Sequence, residues 1–132
     1  MEAKGKILLV DDDPDFLEIH RAILDKEGYQ TILADSCKEG LAVVRAEMPD
    51  LIVLDLMMEK HDSGFAFSKQ VKNDPLFKNI PILMVTSVAD ATGFKFSIEK
   101  DGYWMKTDAL LEKPVAPEVL IESVEKLIAA AK

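Results

Sequence analysis

The chain has 132 residues, 48% of them hydrophobic, and is therefore long enough for one compact domain with its own core. Its net charge of −8 makes nucleic acid and anionic membranes poor direct partners. No stretch approaches the roughly 20 apolar residues of a membrane-spanning helix, and residues 1–6 lack the apolar region of a secretory signal. The single cysteine, Cys37, cannot form an internal disulfide. We therefore expect a cytoplasmic protein that is not membrane-anchored.

Strand-like and helix-like patterns alternate along the chain without a linker or a repeat. Short runs rich in β-branched residues predict strands, and apolar residues at helical spacing predict helices. The predicted helices start at Pro14, after Ser36, at Ser63 and at Pro117, and the predicted strands cover residues 6–10, 29–34, 51–55, 80–86 and 109–112. This alternation predicts a single α/β domain over residues 4–131, with a parallel sheet and helices on both faces.

Residues 89–108 do not fit that alternation. Phe94, Phe96 and Ile98 alternate with polar residues, and Gly93 and Gly102 weaken a helix. We expect this region, where a fourth helix in order would stand, to be atypical and to hold at most a short or displaced helix.

Acidic residues follow two of the predicted strands. Asp11, Asp12 and Asp13 follow the apolar run 7–10, and Asp55 follows the run 51–54. Open α/β sheets place their sites at the carboxyl ends of the strands, so these carboxylates should lie close together. Two carboxylates about 4 Å apart repel by about 4 kcal/mol at an effective dielectric constant of ~20, and a hard divalent cation such as Mg²⁺ would relieve that repulsion. Asp13, directly before Pro14, is better interpreted as a helix N-cap.

Four motifs in this order resemble the receiver domain of two-component response regulators. They are Ile-Leu-Leu-Val-Asp-Asp-Asp-Pro (7–14), Leu-Ile-Val-Leu-Asp-Leu-Met-Met (51–58), Leu-Met-Val-Thr-Ser (83–87) and Glu-Lys-Pro (112–114). The resemblance covers essentially the whole chain. It implies a doubly wound, five-stranded parallel sheet in the flavodoxin-like order 2-1-3-4-5, as in the chemotaxis regulators.

The resemblance assigns a role to each residue at the strand ends. Asp55 is expected to accept a phosphoryl group and to be one of the metal-binding residues. Asp12 is expected to bind Mg²⁺, or Mn²⁺, directly, Asp11 to hold the metal through water, and Met57 to offer its backbone carbonyl. The phosphate-binding and switching residues are expected to be Thr86, Ser87 and Lys113.

Three departures from the family pattern bear on the output rather than on the acids. Leu110 stands where the family usually has an aromatic residue, the stretch from Thr86 to Lys113 is longer than usual, and Glu59 replaces a frequent proline. Met57 and Val88 occupy the positions that in the family help to orient the water for dephosphorylation. Because both side chains are apolar, we expect slow self-dephosphorylation.

The expected function is therefore a phosphorylation-dependent switch that is not an enzyme beyond its own phosphorylation and slow dephosphorylation. The implied partners are a sensor histidine kinase or a histidine phosphotransfer protein of a phosphorelay, and an unknown output partner, with a weak homodimer as a further option. The alternative is a small Mg²⁺-dependent phosphohydrolase with Asp55 as nucleophile. Hydrolases of the haloacid dehalogenase type require a second acid two residues after the nucleophile. This chain has Met57 at that position, and the difference disfavours the alternative.

Overall fold

A computed structural model describes residues 4–55, 63–86, 109–112 and 115–131, in which strands and helices alternate as predicted. The elements are β1 (Lys6–Val10), α1 (Pro14–Lys26), β2 (Gln30–Ala34), α2 (Cys37–Glu47), β3 (Leu51–Asp55), α3 (Ser63–Asn73), β4 (Ile82–Thr86), β5 (Ala109–Glu112) and α4 (Pro117–Ala131). The prediction for residues 89–108 falls outside the described residues. Among those described, no helix combines the length and apolar character needed to cross a bilayer.

The sheet is parallel, and its first four strands lie in the order β2-β1-β3-β4. β1 pairs with β2 on one side and with β3 on the other, and β3 pairs with β4. These pairings confirm an α/β fold with a parallel sheet in which the first four strands run in the order 2-1-3-4.

The central strands β1, β3 and β4 are buried on both faces, which explains why their runs are continuously apolar. Because side chains alternate between the faces of a strand, β1 contributes to two separate cores. Leu8 and Val10 pack with α2 and α3, whereas Ile7 and Leu9 pack with α1 and α4. The sheet is therefore a central layer with helices packed on both faces, and this packing holds in place the edge at which the strands end.

Both ends of α1 carry the signals that the sequence predicts. At its start, Oδ1 of Asp13 accepts hydrogen bonds from the backbone N–H of Asp15 at 3.0 Å and of Phe16 at 3.4 Å. At its end, Gly28 adopts φ +97°, its N–H donates to Asp25 O, and the N–H of Tyr29 donates to the carbonyl of residue 24. This is a Schellman motif, which uses a glycine because a side chain is strained at that φ. Tyr29 belongs to this motif, so β2 begins one residue later than predicted.

α2 begins at an N-cap, Ser36, whose Oγ accepts a hydrogen bond from the N–H of Glu39 at 3.1 Å. It ends at Met48, which has the left-handed φ of +48° directly before Pro49. A similar proline effect shortens β4. The N–H of Ile80 donates to the carbonyl of Phe77 in a turn, and Pro81 has no N–H for the ladder, so the strand begins at Ile82 rather than at 80.

Candidate metal and phosphoryl-transfer site

The register of the sheet brings the acids together at its carboxyl edge. Val10 in β1 is paired with Leu54 in β3. Asp11 and Asp55 each follow one member of that pair, so they lie side by side where the two central strands end. The sheet, rather than a loop, therefore sets the spacing of these two acids.

Asp11, Asp12 and Asp55 each offer a carboxylate oxygen, and these oxygens all lie within 4.8 Å of one another. Asp11 is 1% exposed and Asp55 is 5% exposed, whereas Asp12 is exposed to solvent. The three acids that the sequence predicts at one site are thus close together, with two of them in the interior and one at the mouth.

Local hydrogen bonds fix the turn that carries the first two acids. The N–H of Asp11 continues the sheet ladder by donating to Ala34 O at 3.1 Å. Oδ1 of Asp11 accepts a hydrogen bond from the N–H of Asp13 at 2.9 Å. This i to i+2 bond is an Asx turn, and it holds the Asp11 carboxylate while the backbone passes into α1.

Asp13 supports the site without belonging to the acid cluster. Its side chain caps α1, as predicted, and its N–H orients Asp11. The sequence reasoning missed this second role. The signal was present, because two aspartates separated by one residue before a helix start are typical of an Asx turn leading into an N-cap.

The phosphate-binding residues are only partly within the described ranges. Thr86 is the last residue of β4, one position beyond Val85, which pairs with Asp55. Thr86 is itself paired with Glu112 of β5. Met57, Ser87, Val88 and Lys113 lie outside the described residues, so their roles remain predictions.

The donor set suits a hard cation. Mg²⁺ takes oxygen ligands at 2.0–2.1 Å, so two ligands on opposite sides of it are roughly 4 Å apart. Three carboxylate oxygens within 4.8 Å are compatible with that spacing. The described part of the site holds no side-chain nitrogen or sulfur ligand, which favours Mg²⁺ or Mn²⁺ over softer metals.

A family model described as the response regulator receiver domain matches residues 7–125. Among curated proteins, PilH of Pseudomonas aeruginosa is 31% identical over 95% of this chain and 98% of its own length. Response regulator Rre1 of Synechocystis is 32% identical over 93% of this chain, which spans only 51% of Rre1.

Two solved structures with similar folds also reach 30% identity. A putative response regulator from Chloroflexus aurantiacus has a TM-score of 0.83 and aligns over 95% of this chain and 98% of its own. The signal receiver domain of a histidine kinase from Syntrophus aciditrophicus has a TM-score of 0.84 and aligns over 97% and 92% respectively. The similarity therefore extends over nearly the whole chain in both sequence and fold.

Proposed function

The chain belongs to the response regulator receiver family of two-component signalling, and on that premise we propose that it is a switch phosphorylated on Asp55. The observation that carries the proposal is the group of three carboxylates at the carboxyl edge of the central strands. Asp55 is the acid of that group at the end of β3, and it is 5% exposed.

The exposure of each acid indicates its proposed role in metal binding. Asp12, which is exposed, is suited to ligate Mg²⁺ directly, and the buried Asp11, held by the N–H of Asp13, is suited to hold a metal-bound water. The backbone carbonyl of Met57 completes the proposed protein share. Bound Mg²⁺ would supply positive charge for the phosphoryl oxygens, and Mn²⁺ could replace it.

The phosphoryl group comes from a phosphohistidine of a sensor histidine kinase or of a phosphotransfer protein. A carboxylate oxygen of Asp55 attacks the phosphorus atom, a P–O bond forms, the P–N bond breaks, and the imidazole leaves. This transfer is a single self-phosphorylation rather than turnover of a small substrate. The family match favours it over the alternative of a free-standing phosphohydrolase.

The proposal includes the complete five-stranded receiver order. With β5 beside β4, Glu112 is paired with Thr86. We infer from this pairing that the next residue in sequence, Lys113, can reach the acids. Lys113 then provides a point charge for the phosphoryl group. Thr86 and Ser87 provide hydrogen bonds to it, and the displaced Thr86 transmits the change to an output partner or to a weak homodimer.

Intact-mass measurement after incubation with a small acyl phosphate and Mg²⁺ tests the proposal. Wild type should gain the mass of one phosphoryl group, and Asp55→Ala should gain none. Asp13→Asn is a matched control, because asparagine still caps a helix and the change removes an acid from the same run. Phosphorylation of Asp55→Ala at the wild-type level, or loss of phosphorylation in Asp13→Asn alone, would contradict the assignment.

We further propose that the phosphorylated state is long-lived. Met57 and Val88 stand two residues beyond the phosphoacceptor and the threonine, and neither side chain can hydrogen-bond an attacking water. Met57→Asn combined with Val88→Glu should accelerate the loss of the phosphoryl group by tenfold or so, since one hydrogen bond to the attacking water contributes about 1.4 kcal/mol.

The decay of purified phosphoprotein, followed by mass over time in the absence of donor, measures that lifetime. Met57→Leu combined with Val88→Ile is the matched control, because it keeps both positions apolar and should leave the decay slow. A wild-type decay within seconds, or equal decay in both double variants, would refute the lifetime proposal while leaving Asp55 as the phosphoacceptor.

A further inference from the structure

A cleft between α2 and α3 lies away from the acid site and takes no part in the proposed phosphorylation. It has a volume of about 200 Å³. Its apolar lining is formed by Leu41, Val44, Val71 and Phe77. This volume is below the about 300–1,000 Å³ of small-molecule and cofactor pockets, so the cleft is suited to a single apolar side chain.

The cleft has a polar rim and an apolar neighbour on the surface. Gln70 and Asp74 line both the cleft and an adjoining hollow of about 640 Å³, which Lys69 also lines. Leu76, in the turn that leaves α3, is 74% exposed. In sequence, Leu76 stands between Pro75, which lines the hollow, and Phe77, which lines the cleft. An exposed leucine next to a cleft with charged residues on its rim is typical of a protein-docking surface.

The segment that carries α3 and β4 has a net charge opposite to that of the whole molecule. The chain carries −8, but residues 63–86 contain three lysines and only one acid, Asp74, a net charge of +2. Arg45, on the rim of the cleft, adds another positive charge from α2. This surface would therefore attract an acidic partner that the rest of the molecule repels.

Three of the positive groups on this surface have no ion-pair partner among the described residues. Within the described ranges, the side chains of Arg45, Lys69 and Lys78 are exposed and make no ion pair. Elsewhere several cations form ion pairs with glutamates. These cations are Lys4, Lys6, Arg21 and Lys126. Cations without an internal partner lose no ion pair when they bind an external carboxylate.

The cleft lies toward the amino edge of the sheet, opposite the acids. Arg45 is in the last turn of α2, Asp74 follows α3, and Phe77 precedes β4. Because parallel strands all point the same way, the connections that lead into them are remote from Asp55. A partner bound here would leave the mouth of the acid site open to a phosphoryl donor.

We propose that this cleft docks an acidic segment of a partner protein, with one apolar side chain in the cleft and its carboxylates on Arg45 and Lys69. A second copy of this chain is the less suitable occupant, because two molecules of charge −8 repel each other. The docking surface is independent of phosphorylation, so its failure in a test would not affect the role of Asp55.

Two-dimensional NMR of the isotope-labelled chain tests the proposal with three synthetic pentapeptides. The first has a central leucine between two pairs of glutamates. In the second, glycine replaces the leucine, and in the third, lysines replace the glutamates. The first peptide should shift the backbone amide signals of Leu41, Arg45, Gln70 and Phe77, and the other two should bind at least roughly tenfold more weakly.

Arg45→Glu should weaken binding of the first peptide by roughly tenfold. Lys26→Glu is the matched control, because Lys26 is also an exposed cation, on α1, and its reversal should leave binding unchanged. No binding to wild type, equal binding of the lysine peptide, or an unchanged affinity of Arg45→Glu would overturn the proposal. Shifts of the same signals with protein concentration alone would assign the cleft to a second copy and overturn it as well.

Discussion

At the scale of single residues, the cost of gathering three carboxylates predicts how stability responds to losing one. Asp55→Asn should raise the free energy of unfolding of the metal-free protein by about 1–3 kcal/mol. The substitution removes the repulsion of Asp55 by the other two acids, which is at most about 4 kcal/mol for each close pair. The gain is smaller than that because Asp12 is exposed and water screens its charge. Thermal unfolding in a chelating buffer measures the change.

Asp25→Asn is the control for that measurement, because Asp25 is an exposed acid of α1 outside the cluster. It should change the melting temperature little. A lower melting temperature for metal-free Asp55→Asn than for wild type would mean that the acids do not repel one another as proposed.

Tyr29 provides a second residue-scale prediction, on alkaline stability. Burial raises the pKa of its hydroxyl above the ordinary value of 10.0, and the carboxylates of Glu125 and Glu27 raise it further. As the pH rises above 10, the unfolded phenol loses its proton before the folded one, so the unfolded state is favoured. Stability that is fully present below pH 10 is therefore lost as the pH rises through the folded pKa.

Tyr29→Phe lacks this group and should lose less stability than wild type between pH 9 and pH 11, as urea unfolding at a series of pH values would show. The comparison cancels the titration of the lysines, which both proteins share. Parallel stability curves for the two proteins in this range would contradict the assignment to Tyr29.

At the scale of the elements, α2 approaches β1 and α3 closely because it carries a glycine. A Cβ at Gly40 would lie 2.9 Å from Cε2 of Phe67 and 3.2 Å from Cγ2 of Val10. Phe67 is 1% exposed and has little room to move. Gly40→Ala should therefore destabilise the protein by about 1 kcal/mol, since overpacking costs about 1–3 kcal/mol and alanine regains at most about 1 kcal/mol of helix propensity.

A double-mutant cycle with Phe67→Leu isolates this contact. In the smaller Phe67→Leu background, Gly40→Ala should be neutral or stabilising, with urea unfolding as the readout. Equal destabilisation by Gly40→Ala in both backgrounds would indicate that the ring does not limit the approach of the helix.

At the scale of the whole molecule, a ligand that binds only the folded chain stabilises it by mass action. The acids lie 44 positions apart in sequence and meet only when β1 and β3 pair. Mg²⁺ at ten times its dissociation constant should therefore add roughly 1.4 kcal/mol, which corresponds to a rise of about 5 °C in the melting temperature. Asp12→Ala should abolish most of that rise.

Potassium chloride at matched ionic strength is the control for this titration, because the chain carries −8 and salt alone screens its self-repulsion. An equal rise with potassium chloride, or an undiminished Mg²⁺ effect in Asp12→Ala, would argue against a metal site at these acids.

The sequence by itself determined the local structure and the positions of the acids along it. Continuous apolar runs predicted the buried strands, Asp13 and Ser36 predicted the helix starts, and the acids after the first and third strands predicted where the site would be. These features depend on neighbouring residues and on the alternation of strands and helices, so they are present in the one-dimensional pattern.

Only the tertiary structure decided the distances and the close contacts. The pairing of Val10 with Leu54 set the distance between the acids. The packing of Phe67 against α2 explained why residue 40 is a glycine. The bond from Asp13 N–H to Asp11, the later starts of β2 and β4, and the cleft between α2 and α3 also came from the structure. Each of these depends on groups brought together by folding, and the spacing of residues along a chain does not fix how closely its packed elements approach.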